Sequence, residues 1–218
     1  MSTPNTKRDE NVSSNDLYIT PKEAMDAIIP YVRKDIDKIH NIKRRKDAED
    51  YAMFLDPCQG LGDIVAYFSE KFQDIYPVSN ELYPCSDESK MIWLPNYQDD
   101  FLSDEGKLAE TKSEYDLILC NPPYNKAMEF VLQGFNYAPI QWHFLRLSFL
   151  ESQKRFEELF NLGKLSDVYI FTYRVSCPKG VDREKTANSV AYCWYRWDNY
   201  YCGQPKLHWL TKPNNKGE

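Results

Sequence analysis

The spacing of hydrophobic positions changes several times along the chain, and each change marks an element. From Thr20-Pro21 onward, Ala24, Ala27, Ile28 and Tyr31 recur at helical spacing. Thr20 is placed to cap this helix, Pro21 to open it and Glu23 to complete a capping box. Residues 51–55 read as a short apolar strand, and 61–72 as a helix with Ile64, Val65, Phe68 and Phe72 on one face. Residues 75–79 form a second strand. Residues 117–120 are apolar without a break, as in a parallel strand covered on both faces. A helix over 127–137, a strand over 140–145, a helix over 149–160 and strands over 168–171 and 190–197 complete the pattern. The alternation predicts an α/β fold with a doubly wound, mostly parallel sheet. The last two strands have no helical pattern between them, so the final one is expected to run antiparallel. Ligands of such sheets bind outside the carboxyl ends of the strands.

Composition changes this picture little. Residues 1–16 and 211–218 are polar and charged and predict flexible tails, which leaves 17–210 as one domain. The chain is 42% hydrophobic and 15% aromatic, which suits a globular core. Its 27 Lys and Arg against 33 Asp and Glu give a net charge of −6, which excludes a protein that coats DNA with overall positive charge. No apolar run approaches the ~18 residues that span a bilayer, and the first residues hold no apolar signal core, so a soluble, cytoplasmic protein is expected. The six cysteines include no C-x-x-C pair, and His40, His143 and His208 are scattered. No zinc site is expected, and the thiols are expected to be free.

Three places could meet phosphate. Residues 38–46 hold five Lys or Arg and no acid, so Lys43, Arg44, Arg45 and Lys46 form either a solvated face or a nucleic-acid patch. The segment 174–189 carries Arg174, Lys179, Arg183 and Lys185 against Asp182 and Glu184, with the same two readings. Arg146, directly after a strand, is the third. The aromatics Trp194, Trp197, Tyr200 and Tyr201 serve either a strand core or an interface.

Two motifs stand at strand ends. Asp56-Pro57-Cys58-Gln59-Gly60-Leu61-Gly62 closes a strand with an acid and opens a helix with two glycines, which permit a sharp turn and close backbone approach. The dinucleotide pattern needs a third glycine, and that position is Val65; the P-loop lysine is also missing. Nicotinamide dinucleotides and phosphate-cradled ATP are thereby disfavoured. Glu81, after the next strand and about 20 residues past the glycines, can accept both hydroxyls of a ribose. Asp99-Asp100-Phe101-Leu102 pairs an acid with an aromatic, a combination that can hold an adenine by its amino group and its face. The second motif is Asn121-Pro122-Pro123-Tyr124, after the apolar strand. Two prolines fix the backbone and remove two donors, so the turn presents the Asn121 side chain and a proline carbonyl. Those two acceptors match the two hydrogens of a planar NH2 group, and Tyr124 offers a face to a flat ring.

In this order the motifs resemble those of S-adenosylmethionine-dependent amino-methyltransferases, and more closely the DNA N6-adenine methyltransferases in which the cofactor motif precedes the catalytic one. Tyr18-Ile-Thr20-Pro21-Lys22 is similar to that group's N-terminal motif, which closes over the amino-acid end of the cofactor. Residues 144–151, 168–174 and 192–197 look like those of small phage-type members, so the likeness runs over about 17–210. Many relatives carry Phe and Cys where this chain has Cys58 and Gln59. The resemblance implies a Rossmann-like class I fold and S-adenosylmethionine as cofactor. It places Tyr18, Thr20, Pro21, Asp56, Pro57, Cys58, Gly60, Gly62, Glu81, Asp100, Phe101 and Asn121 around the cofactor, and Asn121, Pro122, Pro123 and Tyr124 in catalysis, without a metal. The implied substrate is adenine in DNA, flipped from a duplex or single-stranded. There is no room for a separate target-recognition domain, so specificity would come from a protein partner or be broad. A protein-glutamine or RNA methyltransferase is the alternative enzyme; an inactive cofactor-binding partner subunit is the alternative of another class.

Overall fold

A computed structural model describes residues 17–44, 51–184 and 190–212. The tail expected over 1–16, residues 213–218 of the one expected over 211–218, and Arg45, Lys46 and Lys185 lie outside the described residues. A seven-stranded sheet runs in the order β2-β1-β3-β4-β6-β5-β7. The strands are β1 Ala52–Asp56, β2 Ile75–Ser79, β3 Leu117–Cys120, β4 Ile140–Arg146, β5 Leu165–Phe171, β6 Tyr192–Asp198 and β7 Lys206–Leu210. β1, β2, β3 and β4 pair in parallel. β6 is antiparallel to both β4 and β5, as expected of the strand over 190–197. It lies inside the sheet, and β7 adds a further parallel edge strand beside β5.

Helices α1 Lys22–Asp26, α2 Ile29–Arg44 and α3 Asp63–Lys71 precede β2, while α4 Ala127–Gly134 and α5 Gln153–Glu158 follow β3 and β4. Val32, Ile36 and Ile39 put one side of α2 into the core, with Ile28 just before it, against Phe54, Leu117, Leu119, Trp142 and Phe144 of the sheet. The alternate residues Leu55, Ile118 and Cys120 face a second cluster with Phe101, Phe130 and Tyr137. That is why β3 is apolar at every position: both of its faces are covered. No helix of the described residues is long and apolar enough to cross a membrane.

The start of the chain differs from expectation. Thr20 does not cap α1; the cap position falls to Pro21, with no side-chain bond. The Ile19 N–H donates to Pro178 O at 2.8 Å, which holds this stretch extended and delays the helix. The helix expected over 149–160 breaks into a 3-10 turn, Leu147–Leu150, and α5, because Ser152 turns the chain and caps α5 from its side chain.

Candidate active site

Residues 17–19 and 178–184 form a small ribbon over the carboxyl ends of the strands. Tyr18 bridges antiparallel to Lys179, and Gly180 N–H donates to Leu17 O at 2.8 Å. Arg183 pins the ribbon through a two-point ion pair with Asp63 in the first turn of α3, at 2.8 and 3.1 Å. Lys90 holds Asp182 at 2.7 Å.

Under the ribbon lies the glycine turn. Gly60 and Gly62 both have positive φ, +59° and +90°, so both are needed for the turn itself. The close approach they permit is used by this chain's own side chains. A methyl at Gly60 would stand 2.7 Å from Leu17 Cδ1, and one at Gly62 would stand 2.5 Å from Trp93 Cβ. Gly60 N–H donates to Glu81 Oε2 at 2.8 Å and Tyr83 N–H to Glu81 Oε1 at 3.1 Å. Thus the acid expected to meet a ribose braces the turn, with acceptor capacity to spare. Burial pushes the Glu81 carboxyl up, and its two N–H partners oppose the rise. Asp56 is fully buried; Oδ1 accepts from Cys58 N at 3.2 Å, and Oδ2 has no partner. Burial holds its carboxyl well above the usual range, against the pull of the Cys58 N–H, and the charges of Glu81 and Asp63 add to the rise.

Asn80 ties these pieces together and carries no signal in the sequence beyond a polar residue at a strand end. Fully buried, it donates from Nδ2 to Pro57 O at 3.0 Å and Asp99 O at 2.9 Å, and accepts from Asp99 N at 2.9 Å. Its backbone bonds both Asp56 O and Gln59 N. One amide therefore sets the β1 turn against the Asp99–Phe101 segment. Asp100 is exposed there, with Oδ1 accepting from Leu102 N at 3.0 Å. The Phe101 ring corrects an expectation: it is 2% exposed and packs on Phe130 and Tyr137, so it offers no face to a ligand.

The turn after β3 places Asn121 beneath the ribbon. Its Nδ2 donates to Tyr18 O at 2.8 Å, while Oδ1 is buried without a partner. A carbonyl can only accept, so this bond fixes which end of the amide is which. Pro122 is buried, and Pro123 O accepts from Lys126 N at 2.9 Å in the 3-10 turn Tyr124–Lys126. The Tyr124 ring is hemmed by Tyr18 at 5.2 Å and Tyr192 at 6.0 Å, with the Arg146 guanidinium over it at 4.7 Å. Burial pushes its hydroxyl well up. Behind the motif, Cys120 Sγ contacts His143 Nδ1 at 3.4 Å, and His143 Nε2 meets Gln141 Oε1 at 2.8 Å. Burial lowers the His143 imidazole to about 3, so it is neutral.

No family model and no curated protein matches the sequence. Solved structures do. A Pyrococcus horikoshii protein described as a "putative RNA methyltransferase" superposes with a TM-score of 0.51 at 14% identity, over 88% of this chain and 91% of that one. The fold is that of the class I methyltransferases. Two further similarities are the modification subunit of a "putative type I restriction enzyme" from Vibrio vulnificus (TM-score 0.48, 15% identity, 82% of this chain and 47% of that one) and a TehB-like SAM-dependent methyltransferase from Corynebacterium glutamicum (0.43, 11%, 78% and 98%). The chain thus spans less than half the length of the Vibrio subunit.

Within this methyltransferase fold the expected cations divide. Lys43 lies at the amino ends of the strands, away from the two motifs. It pairs with Asp116 at 2.7 Å and donates to Tyr51 O, because the last turn of α2 lies beside the starts of β1 and β3. Arg44 ends the same helix. Arg183 is spent on Asp63, Lys179 lies 6.0 Å over the Tyr18 ring, and Arg174 is exposed. Among the described residues, Arg146 alone of the expected cations touches the Asn121–Tyr124 motif. Thr20 and Pro21 line a separate cavity of 460 Å³ with Asp63, Tyr67 and Arg183, on the α3 side of the ribbon.

Proposed function

We propose that this chain transfers a methyl group from S-adenosylmethionine to the N6 amine of adenine in DNA. The single observation that carries the reading is Asn121: its NH2 is anchored on Tyr18 O and its Oδ1 is buried with nothing to accept. An acceptor left open in this way costs about 1–3 kcal/mol, a cost that a bound donor relieves.

The residues suit the cofactor. Asp56 Oδ2 is a second orphaned acceptor, and Glu81 keeps acceptor capacity after its two N–H bonds. An acidic, acceptor-rich wall favours hydroxyls, an amino group and positive charge, and disfavours phosphates. Tyr18 belongs to the ribbon, Pro57, Cys58, Gly60 and Gly62 to the turn and Asp100 to the adenine end, while Thr20 and Pro21 follow the ribbon and line the cavity on its α3 side. Leu17 occupies the space over Gly60, so it gives way when the site fills. S-adenosylmethionine brings an activated methyl on a sulfonium, which needs no metal to leave.

Asn121 Oδ1 and the Pro122 carbonyl would accept hydrogen bonds from the two amine hydrogens and stabilise the positive charge that grows on nitrogen as the S–CH3 bond breaks; S-adenosylhomocysteine would leave and the methylated amine would give one proton to water. Pro122 and Pro123 keep these acceptors fixed while that happens. Tyr124 would hold the base flat, with its ring freed as the Arg146 guanidinium turns aside. A base in a duplex must be flipped to reach this turn. An RNA base amine is the second reading, prompted by the description of the Pyrococcus neighbour. The test is transfer of labelled methyl to matched DNA and RNA by the wild type and by Asn121→Ala, with cofactor binding followed by calorimetry. The variant is expected to lose at least 100-fold in kcat while still binding cofactor. Equal transfer by both proteins contradicts the assignment of Asn121, and transfer to RNA alone moves the substrate.

A further inference from the structure

A cleft of 160 Å³ opens beside Tyr124, lined by Leu145, Arg146, Ser148, Phe149 and Arg155. It is well below the ~300–1,000 Å³ typical of pockets for whole small ligands. Its contents are two guanidinium groups. Arg146 holds Nε buried with no partner and rests its plane over the Tyr124 ring. Arg155 gives Nε to Phe149 O at 2.6 Å and Nη2 to Ser148 O at 3.3 Å and Glu151 O at 2.7 Å. These bonds fix the Arg155 plane at the cleft and leave Nη1 without a bond among the described residues.

Neither arginine pairs with an acid among the described residues. Three other arginines among the described residues do pair: Arg33 with Asp74, Arg183 with Asp63 and Arg196 with Asp35. Two like charges brought together, with one buried donor unmatched, disfavour each other until an anion arrives. The space suits a small tetrahedral anion, and guanidinium groups bind phosphate oxygens through paired N–H donors.

We propose that the Arg146–Arg155 cleft seats a backbone phosphate next to the acceptor base, and so confines this site to nucleic acid over a protein amide. The inference rests on the proposed function, since the base is taken to lie on Tyr124. Arg146 then has two positions: over the empty ring, and on the phosphate once a base replaces it there. A peptide glutamine carries no such anion and leaves the charges unmatched.

The test uses the full chain and a fluorescent single-stranded DNA oligonucleotide with one adenine. Each phosphate near that adenine is replaced in turn by an uncharged methylphosphonate. Binding is read by anisotropy and methyl transfer in the same samples, for the wild type, Arg146→Gln and Arg146→Lys. One replacement flanking the adenine is expected to weaken wild-type binding about 10-fold or more, the usual worth of a charged hydrogen bond. Arg146→Gln should bind the unmodified strand that much more weakly and lose its sensitivity to the replacement, while Arg146→Lys keeps part of it. Because the replacement alters only the DNA, its effect on the wild type is independent of folding in the variants. A wild type that binds no DNA, or that ignores every single replacement, overturns the proposal. So does an Arg146→Gln protein as sensitive as the wild type. Binding with the expected pattern but no transferred methyl overturns the proposed function and leaves the phosphate seat standing.

Discussion

Single buried polar residues set the chemistry of this site and also its weaknesses. Asn80 makes three side-chain hydrogen bonds among buried groups, so Asn80→Ala is expected to cost about 3 kcal/mol at ~1 kcal/mol per bond. Urea denaturation measures this; a cost under about 1 kcal/mol would mean that the stitch between the glycine turn and Asp99 is dispensable. His143 gives a pH signature. In the unfolded chain it takes up a proton below about pH 6.5, but in the folded protein it stays neutral down to about 3. The stability it contributes is therefore complete above 6.5 and is lost as pH falls between the two values. A His143→Gln variant lacks this loss, so the wild type should decline against it by about 2 kcal/mol from pH 7.5 to pH 5, at ~1.4 kcal/mol per unit. Parallel pH profiles for the two proteins would show that the folded imidazole takes up its proton normally. At this scale the sequence was partly informative. Asn121 stands out because two prolines follow a buried strand and nothing else explains them. Asn80 and Arg155 do not, because their roles come from backbone groups 19 to 23 residues away or across a 3-10 turn.

Among the elements, the glycine turn and the ribbon control access. Gly62 has a φ of +90°, and a methyl added there would stand 2.8 Å from Trp93 N, so neither the conformation nor the space admits one. Gly62→Ala is expected to cost about 3 kcal/mol, from strain in the left-handed region and overpacking together. A change below about 0.5 kcal/mol in urea denaturation would contradict that geometry. β1 and β3 were legible as short apolar runs, and β4, β5 and β6 from an apolar majority that Gln141, His143, Asp167 and Arg196 interrupt without breaking. β7 was not: Leu207 and Trp209 are 60% and 65% exposed at the sheet edge, and Lys206 and His208 leave no continuous apolar run. The first helix was misread at its cap because a pairing with Pro178, more than 150 residues away, outweighs the local capping signal of Thr20. Phe101 was misread for a similar reason: only the assembled core shows that its ring is enclosed.

Across the whole molecule, the proposed function asks a chain of net charge −6 to meet a polyanion. Among the described residues several cations are already tied: Lys43 to Asp116, Lys90 to Asp182, Arg183 to Asp63. Binding to a single strand should therefore release few counterions. The slope of log K against log salt is expected near −2, about −0.7 for each phosphate contacted. A slope of −6 or steeper in anisotropy titrations would reveal a large basic surface that this charge distribution does not provide. The most direct measurement of function is the chemical identity of the product. Purified protein is incubated with labelled S-adenosylmethionine and DNA, the DNA is digested to nucleosides, and the labelled nucleoside is identified by mass spectrometry, with Asn121→Ala alongside. The expected result is N6-methyl-2′-deoxyadenosine from the wild type and none from the variant. Bound cofactor with no labelled deoxynucleoside, or label on another atom, would contradict it.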